Sequence, residues 1–291
     1  MASTNPDLRF FAHHKVLYNA AHPRDKVAIL AGGGAGHEPA FSGLVGSGLV
    51  TVAVSGDVFA SPSSKQICSG VDLAPTDKGI VTIVLNYTGD CLNFGLASEK
   101  ARSAFHSEGK GRDIEMVNVG DDVSVGRSKG GLVGRRGLTG AAFTAKVLGA
   151  ASEKGDDVQK IAHLGRTMVK NFVTVGSSLD HCHVPGRSTD PKERGALSQS
   201  AVEIGMGIHN EPGAKHIENK PSGEDLIKEM LELLLREDDP ERSFVKFNKD
   251  DDPVLIINNL GGMSSIELGA IAAEARTQIE RDWNLRLSRV Y

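Results

Sequence analysis

The chain has 291 residues, 40% hydrophobic and 24% charged, with 33 Lys and Arg against 37 Asp and Glu for a formal net charge of -4. That length buries one large core or, as expected here, two moderate ones, and the near balance of charge without a long basic block excludes a nucleic-acid-binding face. Three cysteines without CxxC spacing, Cys68, Cys91 and Cys182, exclude a disulfide framework or zinc ribbon; no run nears the roughly eighteen apolar residues of a membrane span and no basic-then-apolar leader opens the chain, so a cytoplasmic protein is expected.

Short β-branched runs predict strands at 27–30, 50–54, 79–85, 114–119 and 254–258. Helical periodicity is clearest at 138–153, 158–172, 224–236 and 265–283. This is an α/β rhythm, divided into a first lobe over 1–173 and a second over 174–291. Residues 177–220, rich in Gly, Pro, His and Ser, form the expected functional loop joining them. The acidic runs at 237–240 and 249–253 read as solvated turns, since a calcium loop needs alternating carboxylates and a fixed glycine.

The most distinctive stretch is Val27-Ala-Ile-Leu-Ala-Gly-Gly-Gly-Ala-Gly-His-Glu-Pro39. An apolar run passes into four glycines and delivers a histidine, placing a backbone that can approach a ligand at the carboxyl edge of a sheet. The spacing does not fit a dinucleotide fingerprint, whose sixth position counted from Gly32 would be His37. Nor does it fit a phosphate loop, because Gly-Lys-Ser/Thr is absent. The bland alternative is a tight turn that merely starts a helix.

Asp90 closes Val84-Leu-Asn-Tyr-Thr-Gly-Asp90, between a strand and a helix expected to begin near Leu92; it reads either as an N-cap or as a carboxylate presented at a strand end. Asp57 and Ser61 stand at a similar strand exit, where Ser61 before Pro62 is equally a turn signal. In Leu179-Asp-His-Cys-His-Val-Pro-Gly186, neighbouring side chains point to opposite faces, so only His181 and His183 could share a metal. With no clear third ligand, no metal site is expected. Gly205-Met-Gly-Ile-His-Asn-Glu-Pro-Gly213 sets His209 among glycines beside Glu-Pro, much as His37 is set. If these histidines, about 170 residues apart, meet, one serves as nucleophile and the other as acid or base. Asp90 would complete a proton-handling trio suited to a carbonyl compound with adjacent hydroxyls.

These residues carry a resemblance. Residues 32–39 and 86–90, Val119-Gly-Asp-Asp-Val-Ser-Val-Gly126, Gly134-Arg-Arg-Gly137, residues 180–187 and 205–213, and Asn258-Asn-Leu-Gly-Gly-Met263 are similar, in order, to the K (substrate-binding) domain of fungal-type dihydroxyacetone (glycerone) kinases. The similarity runs from about Leu17 to Tyr291. It implies a two-lobed α/β fold with mixed sheets flanked by helices, in which dihydroxyacetone or a relative is held as a covalent hemiaminal on a histidine. By motif that histidine is His209. The resemblance makes Asp90 the group that activates the substrate hydroxyl, His37 a hydrogen-bonding histidine, Gly33 and Gly34 backbone contacts, Ser61 a supporting hydroxyl and Leu85 part of the substrate-binding wall. A tetrahedral adduct on imidazole orients both ends of a three-carbon ketose, and glycerol has no carbonyl to attack.

The chain departs from the family pattern at Leu85, where a lysine is usual, and at Ala35, where a serine is usual. It is expected to lack most of the family's N-terminal helical segment and to stop before the strands that finish the second lobe, leaving that lobe incomplete with an open sheet edge. Nothing resembles the helical L domain whose aspartates hold Mg²⁺ and ATP. No cofactor is therefore expected on this chain, and ATP and Mg²⁺ would act through a separate L-type domain in trans. The expected assembly is a homodimer with no nucleic-acid or membrane partner. The alternatives are an ATP-independent isomerase, epimerase or dehydratase of an α-hydroxycarbonyl compound, and a non-catalytic ketose sensor.

Overall fold

The computed structural model describes residues 2–109, 111–131, 133–188, 190 and 196–291. It divides into two compact units, residues 1–121 with 136–172 and residues 122–135 with 173–291. Thr189 and residues 191–195, within the loop-rich stretch at 177–220, lie outside the described residues.

In chain order come β1 (Leu8–Phe11), β2 (Val16–Asn19), β3 (Ala28–Ala35), β4 (Val52–Val58), α1 (Ser64–Leu73), β5 (Ile80–Leu85), α2 (Thr88–Glu108) and β6 (Ile114–Val119). A single helical turn, α3 (Arg127–Gly130), belongs to the second unit, and α4 (Gly140–Glu153) and α5 (Val158–Lys170) return to the first. The six strands form one mixed sheet in the order β1-β2-β4-β3-β5-β6. β1, β2 and β4 pair antiparallel, whereas β4, β3, β5 and β6 pair parallel.

Side chains alternate along a strand, so Leu30, Val52, Val54, Ile80 and Val84 share one face. α1 and α2 cover that face with Ile67, Val71, Phe94, Ala97, Ala101 and Phe105. α4 and α5 pack on β3, β5 and β6 from the other side, where Gly165 of α5 lies against Val117. The start of α4 is held by Asp121, a fully buried carboxylate after β6 that accepts the N–H of Leu138 at 2.7 Å and of Gly140 at 2.8 Å. The Gly-Asp-Asp motif is thus in part a clamp on a helix start.

Two elements differ from the sequence expectation. β3 does not stop at Leu30 but runs on to Ala35, because Gly32 and Gly33 pair in register with Val54 and Ser55. At Gly32 a Cβ would stand 2.3 Å from the Val54 carbonyl oxygen and 3.1 Å from the Phe94 ring, so the glycine is required by the close approach of the β4 backbone and of the core. α2 begins at Thr88 rather than near Leu92, with Tyr87 as an N-cap that gives no side-chain hydrogen bond. Asp90 therefore lies inside the first turn, three residues past the Tyr87 cap, and is not the cap itself.

The second unit contains β7 (Ser177–Ser178), β8 (Val202–Ile204) and β9 (Lys215–Ile217) as an antiparallel sheet, then α6 (Gly223–Leu235), β10 (Val254–Leu255), α7 (Ser265–Asp282) and β11 (Arg289–Val290). β10 and β11 pair in parallel over two residues each, so the strand predicted at 254–258 is shortened. Ile227 and Leu231 of α6, Ala275 and Ile279 of α7, and Leu285 beyond α7 form one buried cluster. Ser264 and Glu267 close a capping box at the start of α7, with Glu267 Oε2 accepting the Ser264 N–H at 2.9 Å. Ser264→Ala is expected to lower stability by about 1 kcal/mol, seen as a small fall in thermal midpoint. An unchanged midpoint would show that the box is idle. No helix among the described residues is long and apolar enough to cross a membrane.

Candidate functional site

In an open α/β sheet, ligands bind beyond the carboxyl ends of strands where successive connections leave in different directions. From β3 the chain proceeds to β4 on one side and then, through α1, to β5 on the other. At these carboxyl ends β3 delivers Gly33, Gly34 and His37, β4 delivers Phe59, Ala60 and Ser61, and β5 with α2 delivers Leu85 and Asp90. A register shift between Gly33 and Ala35 irregularly ends the β3–β4 pairing, and such bulges re-aim the chain next to sites.

Gly34 must be glycine here: a Cβ would stand 2.7 Å from the Ala60 nitrogen and 3.0 Å from Phe59. Gly33 meets only the Phe41 ring at 3.8 Å, an ordinary contact. The His37 ring stacks on Phe59, with centroids 4.8 Å apart and planes 11° from parallel. Phe59 itself adopts a left-handed φ of 55°, a strained choice for a bulky residue, held between these contacts. Ser61 lies against the first turn of α2, since a Cβ on Gly89 would be 3.3 Å from its own Cβ. Next to Gly89 is Asp90, buried in that same turn, where the helix N-terminus favours a negative charge. The structure thus gathers Gly34, His37 and Ser61 around one short segment after β4, and sets Gly89, the residue before Asp90, against Ser61. The neighbouring Cys91 thiol is pushed up by burial and by the Asp90 charge, and its Sγ lies 3.4 Å from Asn86 Oδ1 as a donor. It stays a thiol near neutral pH.

Other residues from the sequence reading have contacts of their own. Leu85 is only 9% exposed, and its Cδ2 lies 2.7 Å from where a Cβ on Gly137 would be, so the chain at Gly137 closes over it. Asp57 forms an exposed ion pair with Lys15. Ser63, not Ser61, caps α1, through a box with Gln66. A cleft of about 340 Å³ in the first unit is walled by Lys15, Leu17, Gly33, Phe41, Ser55 and Asp57 among others.

In the second unit, β8 runs into the loop at 205–213 that carries His209. Glu211 folds back on that histidine: Oε2 accepts the His209 N–H at 2.9 Å, and Oε1 lies 3.0 Å from Nδ1. Burial pushes the Glu211 carboxyl up, but hydrogen bonds from the His209 ring and backbone outweigh it and bring the group down to about 2. The turn is closed by Gly207 N–H to the Glu211 carbonyl at 2.9 Å and Asn210 N–H to the Gly207 carbonyl at 3.1 Å. Asn210, at a left-handed φ of 64°, pairs both ways with the Cys182 backbone at 2.7 and 3.0 Å. Beneath the loop, buried Glu203 accepts the Gly213 N–H and lies 3.6 Å from His181 Nε2. Among the described residues no three His, Cys, Asp or Glu side chains are grouped to hold a metal ion. Sequence reasoning gave no role to Phe59, Glu211 or Asn210; of these only Glu211, two residues from the histidine, carried a hint.

The model of the Dak1 domain matches residues 1–291. This chain belongs to the Dak1 domain family of dihydroxyacetone kinases. It is 44% identical over 301 residues to the dihydroxyacetone kinase of Pichia angusta, a match covering 100% of this chain and 48% of that one. The solved dihydroxyacetone kinase from C. freundii in complex with AMP-PNP and Mg²⁺ matches the Dak1 domain with a TM-score of 0.79 and 31% identity, over 98% of this chain and 47% of that one. The dihydroxyacetone kinase operon co-activator Dha-DhaQ matches with a TM-score of 0.83 and 27% identity, over 99% of this chain and 83% of that one. The mixed, helix-flanked α/β architecture and the family inferred from the motifs are those of these proteins. The chain spans about half the length of the curated relatives it matches.

Proposed function

We propose that this Dak1 domain binds a short α-hydroxyketone, dihydroxyacetone or a relative, as a covalent hemiaminal on His209. It then presents the ketose for phosphoryl transfer from ATP and Mg²⁺ carried by a separate L-type domain. The observation that carries this reading is the setting of Asp90, a buried carboxylate in the first turn of α2, next in the chain to Gly89, which packs on Ser61 at the strand edge that also holds Gly34 and His37. Asp90 takes the hydroxyl proton as the substrate oxygen attacks phosphorus. His37, Ser61 and the backbone of Gly33 and Gly34 hold the ketose oxygens, and Leu85 makes a dry wall. The kinase names of the curated relatives, their greater length, and the C. freundii kinase solved with AMP-PNP and Mg²⁺ support a second, nucleotide-bearing part. The working unit in this reading is a cytoplasmic homodimer.

Intact-protein mass spectrometry tests the covalent step. Dihydroxyacetone should give a reversible one-to-one adduct that His209→Ala abolishes. Borohydride should not trap it, because a hemiaminal on an imidazole nitrogen cannot lose water to a neutral imine. Persistence of the adduct in His209→Ala would remove His209 from the chemistry.

A second reading, a non-catalytic ketose sensor, is favoured by the likeness to the operon co-activator, which this chain matches over 83% of that protein's length. An L-type domain with Mg²⁺ and ATP separates the two. Transfer to the bound ketose supports the kinase reading, and an adduct without transfer supports the sensor.

A further inference from the structure

We propose that Glu211 is the positioning residue of His209: it fixes the ring proton on Nδ1, so that Nε2 carries the lone pair that attacks the ketose. This rests on the hemiaminal reading above. Both Glu211 oxygens engage one residue, Oε2 the His209 backbone N–H and Oε1 the ring at Nδ1, at 2.9 and 3.0 Å. The carboxyl, down to about 2, is ionised at neutral pH and can only accept, so Nδ1 must be the donor. The clamp is held in turn by the Gly207–Glu211 backbone bond and by the two-way pairing of Asn210 with Cys182.

The consequence follows atom by atom. Nε2 gives its lone pair to the ketose carbonyl carbon, the C=O π pair moves to oxygen, and that oxygen takes up a proton from solvent. The positive charge left on the ring sits at Nδ1–H beside the Glu211 carboxylate, which stabilises it without taking the proton. A buried or half-buried carboxylate that orients a histidine and steadies its cation is the same device that serves nucleophile-activating histidines in acyl transfer.

Glu211→Gln discriminates. The amide has one acceptor; with that oxygen on the His209 N–H, its NH₂ faces Nδ1 and forces the ring proton onto Nε2, where the attacking lone pair is needed. The rate of adduct formation with dihydroxyacetone, read by intact-protein mass spectrometry, should fall about 10²- to 10⁴-fold. The thermal midpoint should stay near that of the unsubstituted protein. Independently of any variant, ¹⁵N spectra of neutral His209 in the unsubstituted protein should show the Nδ1–H tautomer. An Nε2–H tautomer there, or a Glu211→Gln rate within a few-fold of the unsubstituted protein, overturns the assignment while leaving the hemiaminal intact. An adduct that survives His209→Ala sinks the hemiaminal reading and this assignment with it, so the two failures are distinct.

Discussion

Asp90→Asn is expected to remove phosphoryl transfer while leaving the ketose adduct in place. The amide keeps the shape of the carboxylate and one acceptor oxygen, so the buried first turn of α2 should still form. What it loses, in the proposed kinase reading, is the ability to take a proton from the substrate hydroxyl as that oxygen attacks phosphorus. General-base contributions of this kind are worth about 10²- to 10⁴-fold in rate. With an L-type domain, Mg²⁺ and ATP supplied in trans, ketose-dependent ADP formation should fall by that factor, and intact-mass adduct occupancy should change little. The pairing of readouts matters. If transfer and adduct fell together, Asp90 would be a binding or folding residue; if neither moved, the carboxylate at α2 would be only a helix-start charge, and the kinase reading would lose its base.

Asp90 shows where a sequence is legible and where it stops being so. The strand-to-helix passage at 84–90 follows from β-branched residues giving way to Asn, Thr, Gly and Asp, so its place at a carboxyl strand end could be read directly. Whether it capped the helix could not, because that depends on which backbone N–H groups the chain presents four residues either way, and α2 starts at Thr88. The glycine run shows the opposite error. Propensity makes consecutive glycines a turn, but Val54 and Ser55 of β4 supply a ladder that keeps Gly32 and Gly33 extended, and the Val54 carbonyl and the Phe94 ring occupy the space a side chain on Gly32 would need. The stacking of Phe59 on His37 had no local signal at all, since it joins residues from two strand exits. The family, by contrast, was legible because seven separate motifs keep their order along the chain, which no single packing preference would produce.

Leu85→Lys is expected to pull in two directions, and their sizes decide what the residue is for. Restoring an ammonium donor to the wall could satisfy a ketose oxygen otherwise left unpaired, worth roughly 1 to 3 kcal/mol, or about ten- to a hundredfold in affinity. The structure sets a cost against that gain. Leu85 is the last residue of β5, 9% exposed, with Gly137 packed on its Cδ2 and the Tyr87 hydroxyl reaching the Gly137 carbonyl at 3.4 Å. A lysine there must desolvate its ammonium or lift the chain at Gly137, a loss of about 2 to 4 kcal/mol in stability. Stability and affinity are separable, because calorimetric titration reports only on folded molecules. A lower thermal midpoint together with tighter dihydroxyacetone binding would mean that Leu85 trades ligand contact for packing at an old kinase position. A lower midpoint with no gain in affinity, and weaker binding of bulkier, less polar hydroxyketones, would mean that the wall is fitted to a different ketose. An unchanged midpoint would show that Gly137 does not lock Leu85 in place, and that the side chain is free to turn toward a ligand.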